Sequence, residues 1–171
     1  MCSSDLGAYG REIVDVLVSA VVCDADGRRE IAADGLGLRY RHSDLAPGQI
    51  VAAATIALEH DDPAAIRARV REHQDRRSAA QPRKARTFGS VFKNPEGDHA
   101  ARLVEAAGCK GWTEGGATVS PKHANFIVAG KGSTSADVAR LIERVRAAVE
   151  RTAGVALEPE VKFVGEFPSA R

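Results

Sequence analysis

One serine near the middle of the chain has the setting of a reactive hydroxyl. Residues 89–95 read Gly-Ser-Val-Phe-Lys-Asn-Pro, so Ser90 follows a glycine and lies among apolar neighbours. Read as a β-strand, the segment places Phe88, Ser90 and Phe92 on one face, which predicts a hydroxyl partly shielded from water by two rings. Asn94 precedes a proline and is therefore biased to extended or turn geometry, so its amide projects where the strand ends. A buried serine beside a turn explains the same pattern, and on this segment alone it is the simpler interpretation.

Further motifs accompany this segment in a fixed order along the chain. They are Gly-Ala-Tyr-Gly at 7–10, Tyr-Arg-His-Ser at 40–43, Gly-Gly-Ala at 115–117, Ser-Pro-Lys-His-Ala-Asn-Phe at 120–126 and Leu-Glu-Pro-Glu-Val-Lys-Phe at 157–163. Taken together, the motifs resemble the C-terminal part of UDP-N-acetylenolpyruvoylglucosamine reductase, a flavoenzyme of bacterial peptidoglycan precursor synthesis. The resemblance implies a protein that binds FAD and uses NADPH to reduce the enolpyruvyl group of a UDP-sugar.

The resemblance assigns three residues to catalysis. Ser90 matches the family's proton donor, and a neutral hydroxyl avoids the free-energy cost of burying a charge before the reaction starts. Arg41 matches the arginine that meets the substrate carboxylate, a task that suits a planar and permanently charged guanidinium. Glu160 matches the glutamate on the opposite side of the reacting carbons, where it must be kept protonated by burial if it donates a hydrogen bond. The alternatives are a structural serine, a solvated arginine in a basic stretch, and an edge-strand glutamate paired with Lys162.

The resemblance also implies residues that bind the substrate and the cofactor. A diphosphate needs cations and amide donors held close together, and several chain segments would supply them. The pattern Arg77-x-x-x-Gln81-Pro82 resembles the variant of the family that lacks a tyrosine-bearing substrate loop, and core packing is the alternative for His123. The implied substrate-binding residues are Tyr40, Arg77, Lys93, Asn94, His123 and Asn125. The turn formed by Gly7, Ala8, Tyr9 and Gly10 would approach the flavin, because glycine permits close backbone contact.

Composition limits the other possible functions. The chain has 171 residues, of which 44% are hydrophobic and 27% are charged, as in an ordinary globular protein. A net charge of +1 provides no field that would favour nucleic acid or an anionic membrane. The three cysteines are widely spaced, which predicts reduced thiols rather than a disulfide framework or a metal site. No apolar run approaches the roughly 20 residues that span a bilayer. These features predict a cytoplasmic protein with no nucleic acid, membrane or metal, and the resemblance implies a monomer whose partner is a small-molecule UDP-sugar.

The predicted elements mix strands and helices, which indicates the α+β class. The turn at 24–27 predicts a hairpin, and Asp62 with Pro63 predicts the start of a helix with Ile66 and Val70 facing inward. Thr134 and Gly154 mark the two ends of the clearest helix. Strands are predicted at about 13–23, 30–33, 50–58, 117–120, 125–129 and 155–164, and helices at about 62–77, 98–107 and 135–152.

The motifs and elements together predict two domains. Residues 1–6 resemble a non-native leader, 7–77 form part of an FAD-binding domain that 157–171 complete, and 78–156 form a smaller α+β substrate-binding C-terminal domain. The resemblance implies a missing N-terminal portion with a glycine-rich flavin-phosphate loop, so we expect this chain alone to be colourless and inactive. Two other functions stay open: a UDP-sugar-binding module without catalysis, and a flavin oxidoreductase that acts on an unrelated substrate.

Overall fold

The chain folds into two compact units, of which the first ends at His73 and the second begins at Gln74. The structure is a computed structural model that describes residues 10–40 and 42–165. Antiparallel sheets and helices occur in it together, so the predicted α+β class is confirmed. The strands are β1 (Leu17–Asp24), β2 (Gly27–Ala32), β3 (Ile50–Ile56), β4 (Thr113–Glu114), β5 (Ala117–Val119) and β6 (Ile127–Ala129), and the helices are α1 (Pro63–Ala80), α2 (Ala100–Ala106) and α3 (Ser135–Ala153).

The first unit contains an antiparallel sheet with the strand order β2-β1-β3. The predicted hairpin is confirmed, because Asp24 pairs with Gly27 at the turn and Gly27 has the positive φ that such a turn requires. Among the described residues of this unit, the core cluster contains few buried apolar side chains, namely Ala20, Val22 and Leu36. Every residue of β3 is exposed, although the strand is almost entirely apolar.

Helix α1 begins where Asp62 and Pro63 predict it. The Oδ2 atom of Asp62 accepts a hydrogen bond from Ala65 N (2.8 Å), which satisfies one of the free donors of the first turn. The predicted inward direction of Ile66 and Val70 is wrong, since both are exposed and α1 has no buried residue. Ile66 and Val70 are the only large aliphatic side chains of this 18-residue helix, too few to form the stripe that packs it against a core.

The second unit has the larger hydrophobic core. Helix α3 packs against α2 and against β4 and β5 of the sheet formed by β4, β5 and β6, and the most completely buried side chains include those of Val104, Leu141 and Ile142. The predicted ends of α3 are confirmed: Thr134 and Asp137 form a reciprocal capping box, and Gly154 ends the helix in the left-handed conformation. This arrangement provides a rigid base for the loops that carry the candidate site.

The Gly-Gly pair between β4 and β5 has a structural reason. Gly115 has φ +51°, and a Cβ atom on it would lie 2.4 Å from the Asp137 carboxyl carbon. A Cβ atom on Gly116 would lie 2.6 Å from the backbone nitrogen of Ser133. Only glycine allows this hairpin to approach the beginning of α3 so closely.

Two predicted strands are wrong. Residues 89–95 and 155–164 are mostly irregular and share only one isolated antiparallel bridge, between Phe92 and Pro159. Gly89 has φ +83°, which interrupts an extended chain, and Pro159 has no N–H with which to continue a ladder. The predicted alternation of side chains between two faces also fails. Phe88 is 46% exposed although it was expected to share a face with the buried Phe92, and Val91, the neighbour of Phe92 in the chain, is buried as well.

Residues near the end of the described chain pack in the second unit. Leu157 is 1% exposed and belongs to the core cluster of this unit, and its carbonyl accepts a hydrogen bond from Arg146 Nε (2.9 Å). The assignment of residues 157–171 to the first domain stays a prediction.

Two features of the described residues concern membranes and metal ions. Across residues 10–40 and 42–165, the helices are too short or too polar to traverse a lipid bilayer. The same residues place no group of three or more His, Cys, Asp or Glu side chains in an arrangement suited to a metal ion.

Candidate functional site

The segment that carries Ser90 is fixed from one side by Asn125. The backbone N–H of Val91 donates to Asn125 O (2.9 Å), and that of Phe92 donates to Asn125 Oδ1 (2.9 Å). Asn125 Nδ2 in turn donates to Phe92 O (2.8 Å). Asn125 is 4% exposed, so both ends of its amide are used on the backbone of the serine segment.

Residues 158–160 fix the same segment from another side. Glu160 N donates to Val91 O (2.8 Å), and Lys93 N donates to Glu158 O (3.0 Å), which are the two bonds that flank the bridge of Phe92 with Pro159. Glu160 is therefore bonded directly to the residue that follows Ser90. Ser90 itself is half-buried, and Oε2 of the half-buried Glu160 is shielded from solvent.

The third predicted catalytic residue, Arg41, lies outside the described residues. On the first unit, Arg39 and His42 exchange both backbone hydrogen bonds, at 3.2 and 2.9 Å, and both side chains bond Asp44 Oδ1. The hydrogen bond from His42 is the main cause that lowers the pKa of Asp44, and Arg39 adds to it. Tyr40, predicted to bind substrate, is 55% exposed.

Lys93 and Asn94 follow the serine segment, and each makes a polar contact with a different part of the chain. The Lys93 ammonium pairs with the Glu158 carboxylate, so any role in substrate binding requires this ion pair to open or to be shared. Asn94 Oδ1 accepts from Ala100 N (3.0 Å) at the beginning of α2. Within the described ranges Asn94 Nδ2 makes no hydrogen bond, and because the side chain is exposed this donor is available to a ligand.

His123 lies in a tight loop built around Ser120. The buried Ser120 hydroxyl accepts from the backbone N–H groups of Lys122 and His123, at 3.2 and 3.3 Å. His123 Nδ1 accepts from Asn125 N (3.3 Å), which requires that nitrogen to be unprotonated, and burial lowers the pKa of the ring below its ordinary value. The ring stacks edge-on against Phe126 at 4.7 Å. His123 is therefore a neutral, half-buried imidazole with its proton on Nε2.

An open groove of about 700 Å³ lies on the second unit beside the end of α1. Lys122 Nζ donates to Ser78 O (2.5 Å) across it, and Arg83 Nη1 donates to Ser78 Oγ (2.7 Å). The predicted Arg77 bonds Gln81 Oε1 through Nε (3.0 Å), and Gln81 lines the groove. The lining residues are Ser78, Gln81, Pro82, Arg83, Lys84, Ala85 and Lys122.

The charge of the groove lining suits an anion. Three of its lining residues are exposed cations, and its lining includes no carboxylate. Arg83, Lys84 and Lys122 received no role in the sequence analysis. The signal available in the sequence was the presence of cations on both sides of Pro82. The sequence does not show that Lys122, 40 residues further on, lies beside them.

The predicted flavin-contacting turn is described at one position only. Gly7, Ala8 and Tyr9 lie outside the described residues. Gly10 is exposed with φ +80°, and a Cβ atom on it would meet no atom within 4 Å. Among the described residues, nothing blocks a close approach to the backbone at Gly10.

Comparison with known proteins identifies what this arrangement resembles. Residues 81–164 match the family described as UDP-N-acetylenolpyruvoylglucosamine reductase, C-terminal domain. The enzymes of that name from Rhizorhabdus wittichii and Anaeromyxobacter dehalogenans are 47% and 46% identical over 163 and 157 residues. These alignments cover 95% and 92% of this chain but 53% and 48% of the relatives, so the chain spans about half their length.

A solved structure has the same fold. The crystal structure of UDP-N-acetylenolpyruvylglucosamine reductase from Thermus caldophilus superposes with a TM-score of 0.79 and 32% sequence identity. The match covers 92% of this chain and 56% of the solved chain.

Proposed function

We propose that the full protein reduces the enolpyruvyl group of UDP-N-acetylglucosamine enolpyruvate and so forms UDP-N-acetylmuramate, because this chain belongs to the UDP-N-acetylenolpyruvoylglucosamine reductase family. Residues 81–164 match the C-terminal domain of that family. The hydrogen bond from Glu160 N to Val91 O supports the proposal, because Val91 is the residue that follows Ser90 and the bond joins Glu160 to that segment. The reaction would occur in the cytoplasm, where NADPH and the UDP-sugar are both dissolved, and the enzyme would act as a monomer.

Ser90 supplies the proton in this proposal. Hydride addition to the terminal carbon leaves negative charge on the neighbouring carbon, delocalised into the substrate carboxylate. That carbon is basic enough to take a proton from a hydroxyl in a site that excludes water. Ser90 is half-buried, and Asn125 and Glu160 bond the backbone of Val91, the residue that follows it, so a neutral hydroxyl is placed beside a fixed backbone without a charge being buried.

Arg41 and Glu160 act on the charge that develops. Arg41 would meet the substrate carboxylate with two parallel hydrogen bonds and stabilise the delocalised negative charge. Glu160, whose Oε2 is shielded from solvent, would orient the intermediate or assist the proton transfer from Ser90.

The groove between Ser78 and Lys122 would hold the substrate phosphates. Arg83, Lys84 and Lys122 provide cations there, and Arg77 lies beside it through its bond to Gln81. Asn94 Nδ2 is a further donor for the substrate. The resemblance adds Tyr40, Lys93 and His123, whose Nε2 proton can be donated.

The cofactor is part of the proposal. When bound, FAD would accept hydride from NADPH and deliver it to the enolpyruvyl double bond. Among the described residues Gly10 would allow the cofactor to lie close to the backbone, and Gly7, Ala8 and Tyr9 complete the implied turn.

A second candidate function is a UDP-sugar-binding module without catalysis. It is favoured by the separate core of the second unit, which also contains the cationic groove. Leu157 belongs to this core, so the module would have to extend beyond the predicted limit at residue 156. Titration of the chain with UDP-N-acetylglucosamine, followed by Trp112 fluorescence, measures this binding, and a chain that shows no saturable binding contradicts the module.

The test of the main proposal uses a completed reductase. This is the present chain joined to the part of the Rhizorhabdus wittichii reductase that the chain does not match. We expect it to retain FAD and to oxidise NADPH only when the enolpyruvyl UDP-sugar is present. Retention of FAD without substrate-dependent turnover would contradict the proposal, and saturable UDP-sugar binding in that case would favour the binding module.

A further inference from the structure

Asn125 was expected to bind substrate, but its contacts are made with the chain itself. Its Oδ1 accepts from Phe92 N, its Nδ2 donates to Phe92 O and its backbone oxygen accepts from Val91 N, all at 2.8–2.9 Å. At 4% exposure the side chain presents almost no surface to a ligand. An amide with both ends engaged and almost no accessible surface is unsuited to direct substrate binding.

The segment that Asn125 holds has no regular secondary structure to fix its backbone. Residues 89–92 belong to no regular strand, and Gly89 has φ +83° immediately before Ser90. Only one isolated bridge, at Phe92, ties the segment to residues 158–160. An irregular segment lacks the repeated ladder of a sheet, so its conformation depends on the individual bonds made to Val91 and Phe92.

We infer that Asn125 is a positioning residue that fixes the Ser90 hydroxyl for proton transfer by clamping the backbone of Val91 and Phe92. This inference rests on the proposed function. It acts without contact to substrate: the amide of Asn125 holds one side of the segment, and Glu160 N holds the other side through Val91 O.

His123 supports this arrangement. Its Nδ1 accepts the backbone N–H of Asn125 (3.3 Å), so the neutral imidazole fixes the backbone of the clamping residue. The order of contacts is therefore His123 to Asn125, Asn125 to Val91 and Phe92, and from these to Ser90.

The first measurement is amide hydrogen exchange on the full chain. Asn125→Leu removes both side-chain bonds while keeping a branched side chain of four heavy atoms, and Asn125→Asp keeps the acceptor for Phe92 N while removing the donor to Phe92 O. We expect exchange at Phe92 N–H to rise about tenfold or more in Asn125→Leu and less in Asn125→Asp. Thr152→Ala is the matched control, because it removes a side-chain bond to the backbone within α3 (2.9 Å). Unchanged exchange at Phe92 in Asn125→Leu overturns the inference.

The second measurement separates positioning from substrate binding and from stability. In the completed reductase, Asn125→Leu should slow reoxidation of the flavin by substrate about tenfold or more, while reduction by NADPH and the KM for the UDP-sugar stay unchanged. Asn125→Asp should recover part of the rate. A raised KM at constant kcat, or equal loss in both half-reactions, overturns the inference. If the unmodified completed reductase lacks substrate-dependent turnover, the proposed function fails, and the inference fails with it.

Discussion

Removal of the Leu157 side chain tests whether residues 157–160 belong to the core of the second unit. Leu157 is 1% exposed in that core. Leu157→Ala deletes three buried carbon groups, which at about 0.8 kcal/mol each amounts to about 2.4 kcal/mol of lost burial. The cavity left behind adds to this, so the free energy of unfolding should fall by about 2–5 kcal/mol.

The assay is urea denaturation followed by Trp112 fluorescence. Trp112 is the single tryptophan of the chain and packs against the core of the second unit, so its signal reports on that unit. With an m-value of about 2 kcal/mol/M, a loss of about 3 kcal/mol lowers the midpoint by roughly 1.5 M. Val164→Ala is the control, because Val164 is 89% exposed and its truncation should change stability by less than about 0.5 kcal/mol. Equal midpoints for the two variants would refute the reasoning and would favour the assignment of residues 157–171 to the first domain.

Two further variants test the hairpin and the histidine. Gly116→Ala forces a Cβ atom to within 2.6 Å of Ser133 N, so the free energy of unfolding should fall by about 1–3 kcal/mol in the same urea assay, and an unchanged midpoint would contradict the close approach. Burial lowers the folded pKa of His123, so the unfolded chain binds the proton first as the pH falls. The contribution of His123 is therefore complete above about pH 6.5 and is lost as the pH falls from there towards the lower folded pKa. His123→Gln should remove this part of the pH dependence of the urea midpoint, and an unchanged pH dependence in that variant would contradict the assignment to His123.

Patterns confined to a few neighbouring residues predicted local structure well. The Asp24 to Gly27 hairpin, the start of α1 at Pro63 and the ends of α3 at Thr134 and Gly154 all follow from capping and turn chemistry. Those preferences are decided by the backbone and the adjacent side chains, so tertiary packing does not override them.

Alternation along the chain was a poor guide around Ser90. The apolar run of residues 88–92 looks like a strand, but the positive φ at Gly89 turns the chain, and Val91 and Phe92 are both buried. The clamp that replaces the sheet comes from Asn125, 33 residues further on. Its amide resembles that of a ligand-binding residue in the sequence, and only the geometry shows that both ends are engaged on Phe92.

The groove was missed for a related reason. Its cations come from residues 83 and 84 and from Lys122, which no linear pattern connects. Each cation has the appearance of a solvated surface charge in the sequence. Their arrangement around one groove depends on the contact of Lys122 with Ser78, a tertiary interaction.

The central claim is that Ser90 donates the proton to the reduced substrate. Stopped-flow measurement of the two half-reactions of the completed reductase tests it in a Ser90→Ala variant. We predict that NADPH reduces the flavin at the unmodified rate, while reoxidation by the enolpyruvyl UDP-sugar slows by about 10²–10⁴, the usual contribution of a positioned acid. Reoxidation at the unmodified rate, or an equal fall in both half-reactions, would contradict the assignment.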